Sequence, residues 1–283
     1  MKMLIFGDFH GKFPAKFEKL FRKGEIDVVI SLGDYLPFYH RKLWFKHCYG
    51  KETDLWEIIG KKRVKEGIRK DWVAGKRIFR KLNNLSVPVF TVVGNVDGAK
   101  INDSLDYKKS KGKKLWKWYE KDHFSPIIKN YKNIKRIDYS YAKFGDFVFI
   151  GAYGHTFPGK VMSENYKKYK KKIESLFRKF KKENKDKNVI LVSHNVPYNT
   201  KLDKVSKNAH EKARGKHYGS KLIKRIIDKY QPVLAIGGHI HESWGKDKVK
   251  KTLVVNPGAV VEGRGAVVDI PERKGKIKVK FIK

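Results

Sequence analysis

The sequence has a single cysteine and no long apolar run, and these two absences exclude several classes of protein. Cys48 alone cannot form a disulfide within the chain, and it excludes a cysteine-rich zinc site. No apolar run approaches the roughly 18 residues that a membrane-spanning helix needs, so we expect no membrane partner. The apolar start is too short for a secretory signal and lacks a small-residue cleavage site after it. We therefore expect a cytoplasmic protein.

Acidic residues are also scarce. The chain carries 29 acidic against 66 basic residues, a net charge of +37 over 283 residues. Such a charge attracts polyanions, which makes nucleic acid a candidate partner. The same lysine-rich, isoleucine-rich and asparagine-rich composition is also what an AT-rich genome encodes. Lysine enrichment accompanies life as a thermophile too, although glutamate usually rises with it. The charge alone leaves these interpretations open.

The apolar residues that are present predict an α/β fold. Hydrophobic residues make up 40% of the chain, enough for a sizeable core. Short β-branched runs ending in glycine or a polar residue predict strands, and stripes at helical spacing predict helices between them. We predict strands at residues 2–6, 26–32, 87–93, 144–152, 188–193, 233–236, 252–255, 266–270 and 276–281, and helices at 14–23, 162–180 and 222–230.

Two basic, aromatic segments interrupt this alternation. The first insertion, residues 38–86, and the second insertion, residues 100–136, are too long for simple loops, so each should contain helices of its own. The sequence shows neither an internal repeat nor a flexible linker. We therefore predict one domain over residues 1–283, with no prediction of its oligomeric state.

A set of polar residues follows the ends of the predicted strands. Ligands of open α/β sheets bind at the carboxyl ends of strands, so we expect these side chains to meet at one edge. Carboxylate, imidazole and amide oxygen together suit divalent metals. Seven ligands exceed the need of one tetrahedral ion and suffice for two. The candidates are Asp8, His10, Asp34, Asn95, His194, His239 and His241.

The order of these motifs resembles that of the calcineurin-like metallophosphoesterases. The motifs are Gly7-Asp8-Phe9-His10-Gly11, Gly33-Asp34, Gly94-Asn95-Val96-Asp97, Ser193-His194 and Gly238-His239-Ile240-His241. Gly215-Lys216-His217-Tyr218-Gly219-Ser220 and Asn256-Pro257-Gly258 are similar to a branch related to the Icc-type phosphodiesterases. The resemblance implies a four-layer α/β/β/α sandwich, carrying the two insertions, with a dinuclear metal centre at one edge.

The resemblance also implies roles for the seven residues. Asp8, His10 and His241 would hold one ion. Asn95, His194 and His239 would hold the other, and Asp34 would bridge both. Water activated between the two ions would attack phosphorus in line. We expect Mn²⁺, with Fe, Ni, Co or Zn as alternatives, because ligand sets of this kind accept all of them.

The third motif departs from the family pattern. Many members have a histidine where this chain has Val96, and valine cannot transfer a proton to the leaving group. Asp97 remains as a catalytic candidate, although the imidazole that it would orient is missing. His217 is the first candidate for a replacement acid and His155 the second. Asn95, His217 and Arg264 are candidate substrate contacts.

Three functions remain open at this point. The first is a phosphoesterase, with phosphodiesters favoured over phosphomonoesters as substrates. The second is a nuclease or RNA-processing phosphodiesterase that holds its substrate on the basic insertions. The third is a catalytically weak metal-binding scaffold. A substrate with a good leaving group, which needs no acid, would fit the loss at Val96 as well as a replacement acid does.

Overall fold

Two six-stranded sheets form the centre of the molecule. The computed structural model describes residues 1–22, 25–98, 116–118, 121–153, 164–206, 213–271 and 275–283. Among these residues the strands are β1 (Lys2–Phe6), β2 (Val28–Ser31), β3 (Val89–Thr91), β4 (Ile134–Arg136), β5 (Tyr141–Phe144), β6 (Phe147–Ala152), β7 (Val189–Asn195), β8 (Leu234–Gly238), β9 (Gly245–Val249), β10 (Thr252–Asn256), β11 (Gly265–Asp269) and β12 (Lys278–Ile282).

Both sheets are mixed, with parallel strands at their centres. The first sheet has the order β12-β11-β1-β2-β3-β4, in which β1 to β4 are parallel and β11 and β12 are antiparallel to their neighbours. The second sheet has the order β5-β6-β7-β8-β10-β9, with parallel β6, β7, β8 and β10 between two antiparallel edge strands. The carboxyl ends of the central strands therefore point the same way within each sheet.

Helices cover the outer faces of the sheets. The described helices are α1 (Ala15–Arg22), α2 (Arg41–His47), α3 (Leu55–Ile59), α4 (Lys61–Asn83), α5 (Ser125–Ile128), α6 (Glu164–Lys179), α7 (Lys181–Lys185) and α8 (Lys221–Tyr230). Helix α8 begins where the Ser220 hydroxyl accepts the Ile223 N–H, and it ends at Gln231 in a left-handed conformation. Over the described ranges, no helix is both long and apolar enough to cross a membrane.

Three apolar cores separate these layers. Alternate residues of β1 point to opposite faces, so Met3 and Ile5 pack between the sheets while Leu4 and Phe6 pack under helices α1 and α4. In the second sheet, Ile190 and Val192 face the core between the sheets. Val189 and Leu191 pack instead against the side chains of α6 and α8. The order is helices, sheet, sheet, helices, which is the arrangement that the predicted sandwich requires.

The predicted strands agree with the observed ones except at three places. The predicted strand at 144–152 is in fact a hairpin, because Gly145 at φ 53 turns the chain between β5 and β6. Two further strands, β4 and β9, were not predicted. β4 places the last three residues of the second insertion in the first sheet, where Val89 pairs with Ile134. β9 is an edge strand rich in charge, and it shows no apolar alternation.

The first insertion contains helices α2, α3 and α4, as predicted. Trp72, Ile78 and Phe79 of α4 pack on the first sheet, so this long helix belongs to the core as well as to the insertion. The second insertion contributes α5, β4 and a short segment at Trp116 to the described part of the chain. Residues 100–115, 119 and 120 fall among those not described.

Candidate metal centre

The seven predicted ligands meet where the two sheets come together at the carboxyl ends of their parallel strands. Asp8 and His10 follow β1, Asp34 follows β2, and Asn95 follows β3. His194 is the penultimate residue of β7, next to an irregularity in its pairing with β8. His239 and His241 follow β8. One edge of each sheet thus supplies part of the cluster.

The backbone at this edge is strained. Asp8 (φ 55), His10 (φ 44), Asp34 (φ 55) and His239 (φ 73) all have positive φ, a conformation that costs a non-glycine residue of the order of 1–3 kcal/mol. Hydrogen bonds between loops hold it in place. Asp8 N donates to the Gly33 carbonyl and His10 N to the Asp34 carbonyl, each at 2.9 Å. Backbone strain of this kind concentrates at functional sites.

Gly33 and Gly94 let the loops after β2 and β3 approach each other closely. Gly33 has φ 85, and a Cβ added there would collide with the backbone of Gly94. A Cβ on Gly94 would collide with the Asp34 side chain. Glycine at both positions is therefore needed to bring Asp34 beside Asn95.

Asp8, His10 and His241 form the first triad. Their ligand atoms all lie within 4.8 Å of one another. His241 Nε2 lies 3.3 Å from Asp8 Oδ1 and 3.4 Å from His10 Nε2. Asp8 Oδ1 is buried and has no hydrogen bond of acceptable geometry, whereas Asp8 Oδ2 accepts the backbone N–H of His239 at 3.1 Å.

Asp34, His194 and His239 form the second triad, with the same limit of 4.8 Å between ligand atoms. His194 Nε2 lies 3.2 Å from His239 Nδ1 and 2.8 Å from Asn95 Oδ1. Asn95 therefore joins this triad as a fourth oxygen or nitrogen donor. The grouping of side chains is the one that the resemblance implied for the second ion.

Asp34 lies between the two triads. Its Oδ2 is 3.8 Å from His10 Nε2, and its Oδ1 is 3.7 Å from His194 Nε2. The Val96 N–H donates to Oδ1 at 3.0 Å, which fixes the carboxylate between the imidazoles. One oxygen thus faces each triad, as a bridging ligand requires.

Backbone carbonyls select the tautomers of two histidines. His194 Nδ1–H donates to the Leu32 carbonyl at 2.7 Å, and His10 Nδ1–H donates to the Leu36 carbonyl at 3.3 Å. Each bond leaves Nε2, the atom that faces the cluster, as the lone-pair nitrogen. Carbonyl partners of this kind orient metal-ligating histidines in proteins.

Asp97 belongs to neither triad and instead binds the backbone beside Asp34. Its Oδ2 accepts the N–H groups of Asp34 and Gly94, and its Oδ1 accepts that of Tyr35, all at 2.8 Å. The side chain is fully buried. Burial and the neighbouring Asp34 charge raise the pKa of Asp97 to about 7. These bonds tie the loop after β2 to the loop after β3.

Carboxylates make the cluster a region of negative potential. Burial acts to lower the pKa of His241, but the adjacent Asp8 outweighs it and raises that pKa to about 10. The pKa of His194 is also raised, since Asp34 and Asp8 outweigh its burial. Burial lowers the pKa of His239 to about 3 and also lowers that of His10. The raised pKa values of His241 and His194 show that the cluster favours positive charge. His239 and His10 are neutral and can each donate a lone pair to a metal ion.

A divalent cation satisfies the preference of the cluster for positive charge better than protons do. Asp8 Oδ1 is a buried acceptor without a hydrogen bond, and His194 Nε2 lies 2.8 Å from Asn95 Oδ1 and 3.2 Å from His239 Nδ1. Oxygen and imidazole donors are the ligands of borderline divalent metals. The residues present therefore fit two cations, one at each triad.

The other predicted site residues lie around the cluster or outside the described chain. His155 falls among the residues not described. Arg264 donates to the His241 carbonyl at 3.1 Å and pairs with Glu262 at 2.7 Å, while its guanidinium lies 5.2 Å from the Trp244 ring centre. His217 lies in the residues that follow β7, 196–206 and 213–220, which we call the His217 ribbon because Lys204 pairs with His217 there. Its Nδ1 is 2.7 Å from Asp203.

Two acidic residues near the cluster were not predicted from the sequence. Glu262 lies 3.8 Å from His241 Nδ1, and its pKa is lowered by that histidine. Asp203 is fully buried beneath His217. Neither belongs to a recognised motif, and the only signal is proximity to one: Glu262 shortly follows the Asn256-Pro257-Gly258 turn, and Asp203 lies 14 residues before His217.

Comparison with known proteins gives one family match. Residues 115–280, more than half of the chain, match the family model described as metallophosphoesterase, calcineurin superfamily. This segment contains His194, His239 and His241, whereas the other four ligands precede it. A relative in Methanocaldococcus jannaschii, the uncharacterized protein MJ1162, is 28% identical over 265 residues, which cover 91% of this chain and 88% of the relative.

Solved structures share the fold. One crystal structure has a TM-score of 0.63 at 22% identity and covers 100% of this chain and 99% of its own. The crystal structure of TT1561 from Thermus thermophilus has a TM-score of 0.53 at 15% identity, covering 99% and 97%. At these identities the likeness extends to the arrangement of strands and helices.

Proposed function

The chain belongs to the calcineurin superfamily of metallophosphoesterases. We propose that its two triads bind two divalent ions and that the protein hydrolyses phosphoesters. The observation that carries this proposal is Asp34, whose two carboxylate oxygens face different triads at 3.8 and 3.7 Å. A shared carboxylate is what a pair of metal ions about 3.5–4 Å apart requires. Two ions there would supply Lewis-acid activation of water and of the phosphoryl group.

The protein's own groups have separable tasks in this proposal. Asp8, His10 and His241 hold the ion on the more exposed side, and His194, His239 and Asn95 hold the deeper one. Asp97 acts as a positioning residue, because both of its oxygens are occupied by backbone N–H groups.

Arg264 is a positioning residue in the same sense. Its guanidinium is engaged with the His241 carbonyl and with Glu262, so it fixes the loop that carries His241. We propose this role in place of the substrate contact expected from the sequence. Asn95 remains a proposed contact for a phosphoryl oxygen, since it adjoins the second triad and its side chain is partly exposed.

We propose phosphodiesters as the preferred class and Mn²⁺ as the metal that supports activity. The diester preference rests on the motifs that resemble those of Icc-type phosphodiesterases. The choice of Mn²⁺ rests on a donor set of imidazole, carboxylate and amide oxygen, which binds borderline divalent ions without thiolate.

Hydrolysis of a matched pair of substrates tests the proposal. Bis(p-nitrophenyl) phosphate and p-nitrophenyl phosphate would be compared with Mn²⁺ and after chelation. We expect metal-dependent cleavage, faster for the diester, and loss of cleavage in Asp34→Asn. The exposed Asp146→Asn, at the β5–β6 turn, is the matched control. Turnover by folded Asp34→Asn would contradict the mechanism, and two bound ions without turnover would favour the scaffold alternative.

A second candidate function, a phosphodiesterase acting on nucleic acid, is favoured by an aromatic cluster on the insertions. Trp116 and Trp118 stack at 4.9 Å between ring centres, and Lys65 of α4 lies 5.4 Å from each ring centre. Both tryptophans are partly exposed. Aromatic rings beside lysines suit stacking of unpaired bases next to phosphate contacts.

Salt dependence tests this second candidate. If the cluster holds a strand, affinity for single-stranded nucleic acid should fall steeply between about 50 and 200 mM salt, and Trp118→Ala should weaken binding by about 1–3 kcal/mol per lost stack. The control is Tyr141→Ala, because Tyr141 is a partly exposed aromatic residue, with its ring centre 4.6 Å from Lys179 Nζ, that lies outside both insertions. If the affinity for single-stranded nucleic acid changed neither with salt concentration nor in Trp118→Ala, the aromatic cluster would not be a nucleic-acid binding site.

A further inference from the structure

Hydrolysis at this centre lacks an evident proton donor. The Val96 backbone N–H is bound to Asp34, and its side chain has no proton to give. When a phosphoester breaks, the leaving oxygen takes the bonding electron pair and becomes strongly basic unless it is an activated phenol. A positioned acid accelerates such a step by about 10²–10⁴-fold.

A histidine with a buried carboxylate partner lies in a segment that is hydrogen-bonded to the loops of the cluster. His217 Nδ1–H donates to Asp203 Oδ1 at 2.7 Å, and about a third of the His217 side chain is exposed. Asp203 is fully buried. Its oxygens also accept the N–H groups of Asn199 at 2.9 Å, Thr200 at 2.8 Å and Gly219 at 3.0 Å. The carboxylate is therefore fixed, and it fixes the ring.

This arrangement leaves the other ring nitrogen available. Among the described residues, His217 Nε2 makes no hydrogen bond or ion pair, and the nearest ring is Tyr198, 6.1 Å away between centres. An imidazole held through Nδ1 by a buried carboxylate is the arrangement that protein active sites use to orient an acid–base histidine.

Hydrogen bonds attach the His217 ribbon to the loops that carry the ligands. His217 pairs with Lys204 in an antiparallel bridge. The Tyr218 carbonyl accepts the Asn195 side-chain amide at 3.1 Å, directly after the ligand His194. The Lys204 carbonyl accepts the Ser243 hydroxyl at 2.5 Å, two residues after the ligand His241. The ribbon is thus joined beside a ligand of each triad.

The first insertion reaches the same ribbon from the opposite side. The Tyr49 hydroxyl is hydrogen-bonded to the side chain of Tyr218, the neighbour of His217. The insertion begins just after Leu36, whose carbonyl orients the ligand His10. Leu36 thus joins the start of the insertion to a predicted ligand of the first triad, and Tyr49 joins the insertion to the neighbour of His217.

We propose that His217, oriented by Asp203, donates a proton from Nε2 to the leaving oxygen of the substrate. This inference rests on the proposed phosphoesterase function and specifies its substrates as esters of alcohols or unactivated phenols. The oxygen of the attacking water forms the new bond to phosphorus while the bond to the leaving oxygen breaks. The leaving oxygen keeps the electron pair and takes the His217 proton. The attacking water releases one proton to solvent as its oxygen bonds to phosphorus, and the neutral imidazole then regains a proton from solvent, so no net proton is left on the protein.

A leaving-group series tests the inference. Methyl 4-nitrophenyl phosphate and methyl phenyl phosphate share one scaffold but differ in the basicity of the phenol released. We expect His217→Gln to lose less than about tenfold in kcat on the nitrophenyl ester and about 10²–10⁴-fold on the phenyl ester. His47→Gln, which alters a histidine of helix α2, should change neither rate.

Two further variants separate chemistry from folding. Added imidazole should restore cleavage of the phenyl ester by His217→Ala, a rescue that a purely structural role does not allow. Asp203→Asn should show the same dependence on leaving group as His217→Gln, with thermal melting reporting whether it folds. Because Asp203 has several backbone partners, the His217 variants remain decisive if it does not.

The outcomes distinguish this inference from the function on which it rests. If the wild type cleaves neither ester, the proposed phosphoesterase function is wrong, and the inference is wrong with it. If the wild type cleaves both and His217→Gln loses activity equally on the two, or on neither, the proton-donor role alone is overturned.

Discussion

The two triads contain similar ligands but differ in depth. In the first triad, 13% of the His10 side chain and 18% of the His241 side chain are exposed. In the second triad, His194 is completely buried and only 3% of Asp34 is exposed. Asn95 adds a fourth donor to the deeper set. One ion can therefore be held by the more buried ligand set while the other lies nearer to entering substrate.

The anchoring of the ligands differs in the same direction. His194 is held by a short bond to the Leu32 carbonyl, whereas His241 relies on Glu262, 3.8 Å away and itself partly exposed. A ligand fixed by a short, buried bond loses little freedom when a metal binds. We therefore expect the second triad to bind its ion more tightly and to release it more slowly than the first.

The largest effect should come from removing the group that the triads share. In Asp34→Asn, the amide oxygen can still accept the Val96 N–H, so the fold should persist. The amide nitrogen replaces an oxygen facing His10 and cannot coordinate a metal. We expect turnover to fall by about a thousandfold or more, about 4 kcal/mol of transition-state stabilisation. Equal metal content in the variant and wild type would show that Asp34 is not shared.

Replacing one histidine in each triad should separate them. His194→Gln removes a buried hydrogen bond to Leu32, so we expect a loss of about 1–3 kcal/mol in unfolding free energy as well as loss of the deeper ion. His241→Gln should lose only the ion of the first triad. The metal-free variant should also melt at a lower temperature, because it lacks the histidine whose positive charge pairs with Asp8. Metal analysis and thermal melting on the same samples measure both effects.

The comparison between the triads would be contradicted if the two variants lost the opposite ions. If His241→Gln released the deeper ion, or if His194→Gln left that ion bound, depth would not distinguish the two sites. His123→Gln is a useful control, because that ring bonds only to the Trp118 carbonyl among the contacts described.

Asp97→Asn should weaken both triads by an intermediate amount. An amide group in place of one carboxylate oxygen would point a donor at the backbone N–H groups of Asp34 and Gly94 or at that of Tyr35. We expect metal affinity to fall by about 10–100-fold, as for other groups that orient ligands. Isothermal titration with Mn²⁺ measures it. An unchanged affinity would mean that the loops keep their positions without Asp97.

The smallest effect should come from Glu262. Glu262→Gln removes the charge beside His241 and weakens the pair with Arg264, so only the first triad should respond. We expect a loss of about tenfold in affinity for the weaker ion, at the low end for groups behind a ligand. Glu25→Gln, which removes an exposed acid paired with Lys2, is the control. Loss of the tighter ion would contradict the assignment of Glu262 to the first triad.

The sequence allowed the meeting of these side chains to be predicted because most of them follow strands. Lys2–Phe6 is an unbroken apolar run after its first residue, so the position of Asp8 just beyond the sheet could be predicted directly. His239 and His241 follow the predicted strand at 233–236, which placed them at the same edge. Local order along the chain was sufficient for these features, since parallel strands bring their carboxyl ends together.

Features that depend on the packing of distant segments could not be predicted in this way. Asp203 supports His217 across 14 residues, and the carbonyl of Leu32 orients His194 across 162. β9 was missed because an edge strand exposes charged side chains and shows no apolar period. The hydrogen bonds of Asp97 were not predicted for a similar reason, since its partners are backbone N–H groups that every sequence contains.

Native mass spectrometry of the Mn²⁺-loaded chain tests the shared dinuclear centre most directly, because it counts the ions bound to each molecule. We expect two ions for the wild type, one for His241→Gln, and no complete pair for Asp34→Asn, with Asp146→Asn indistinguishable from the wild type. A wild-type chain that binds one ion or none at saturating Mn²⁺, or Asp34→Asn retaining two, would contradict the assignment of the two triads.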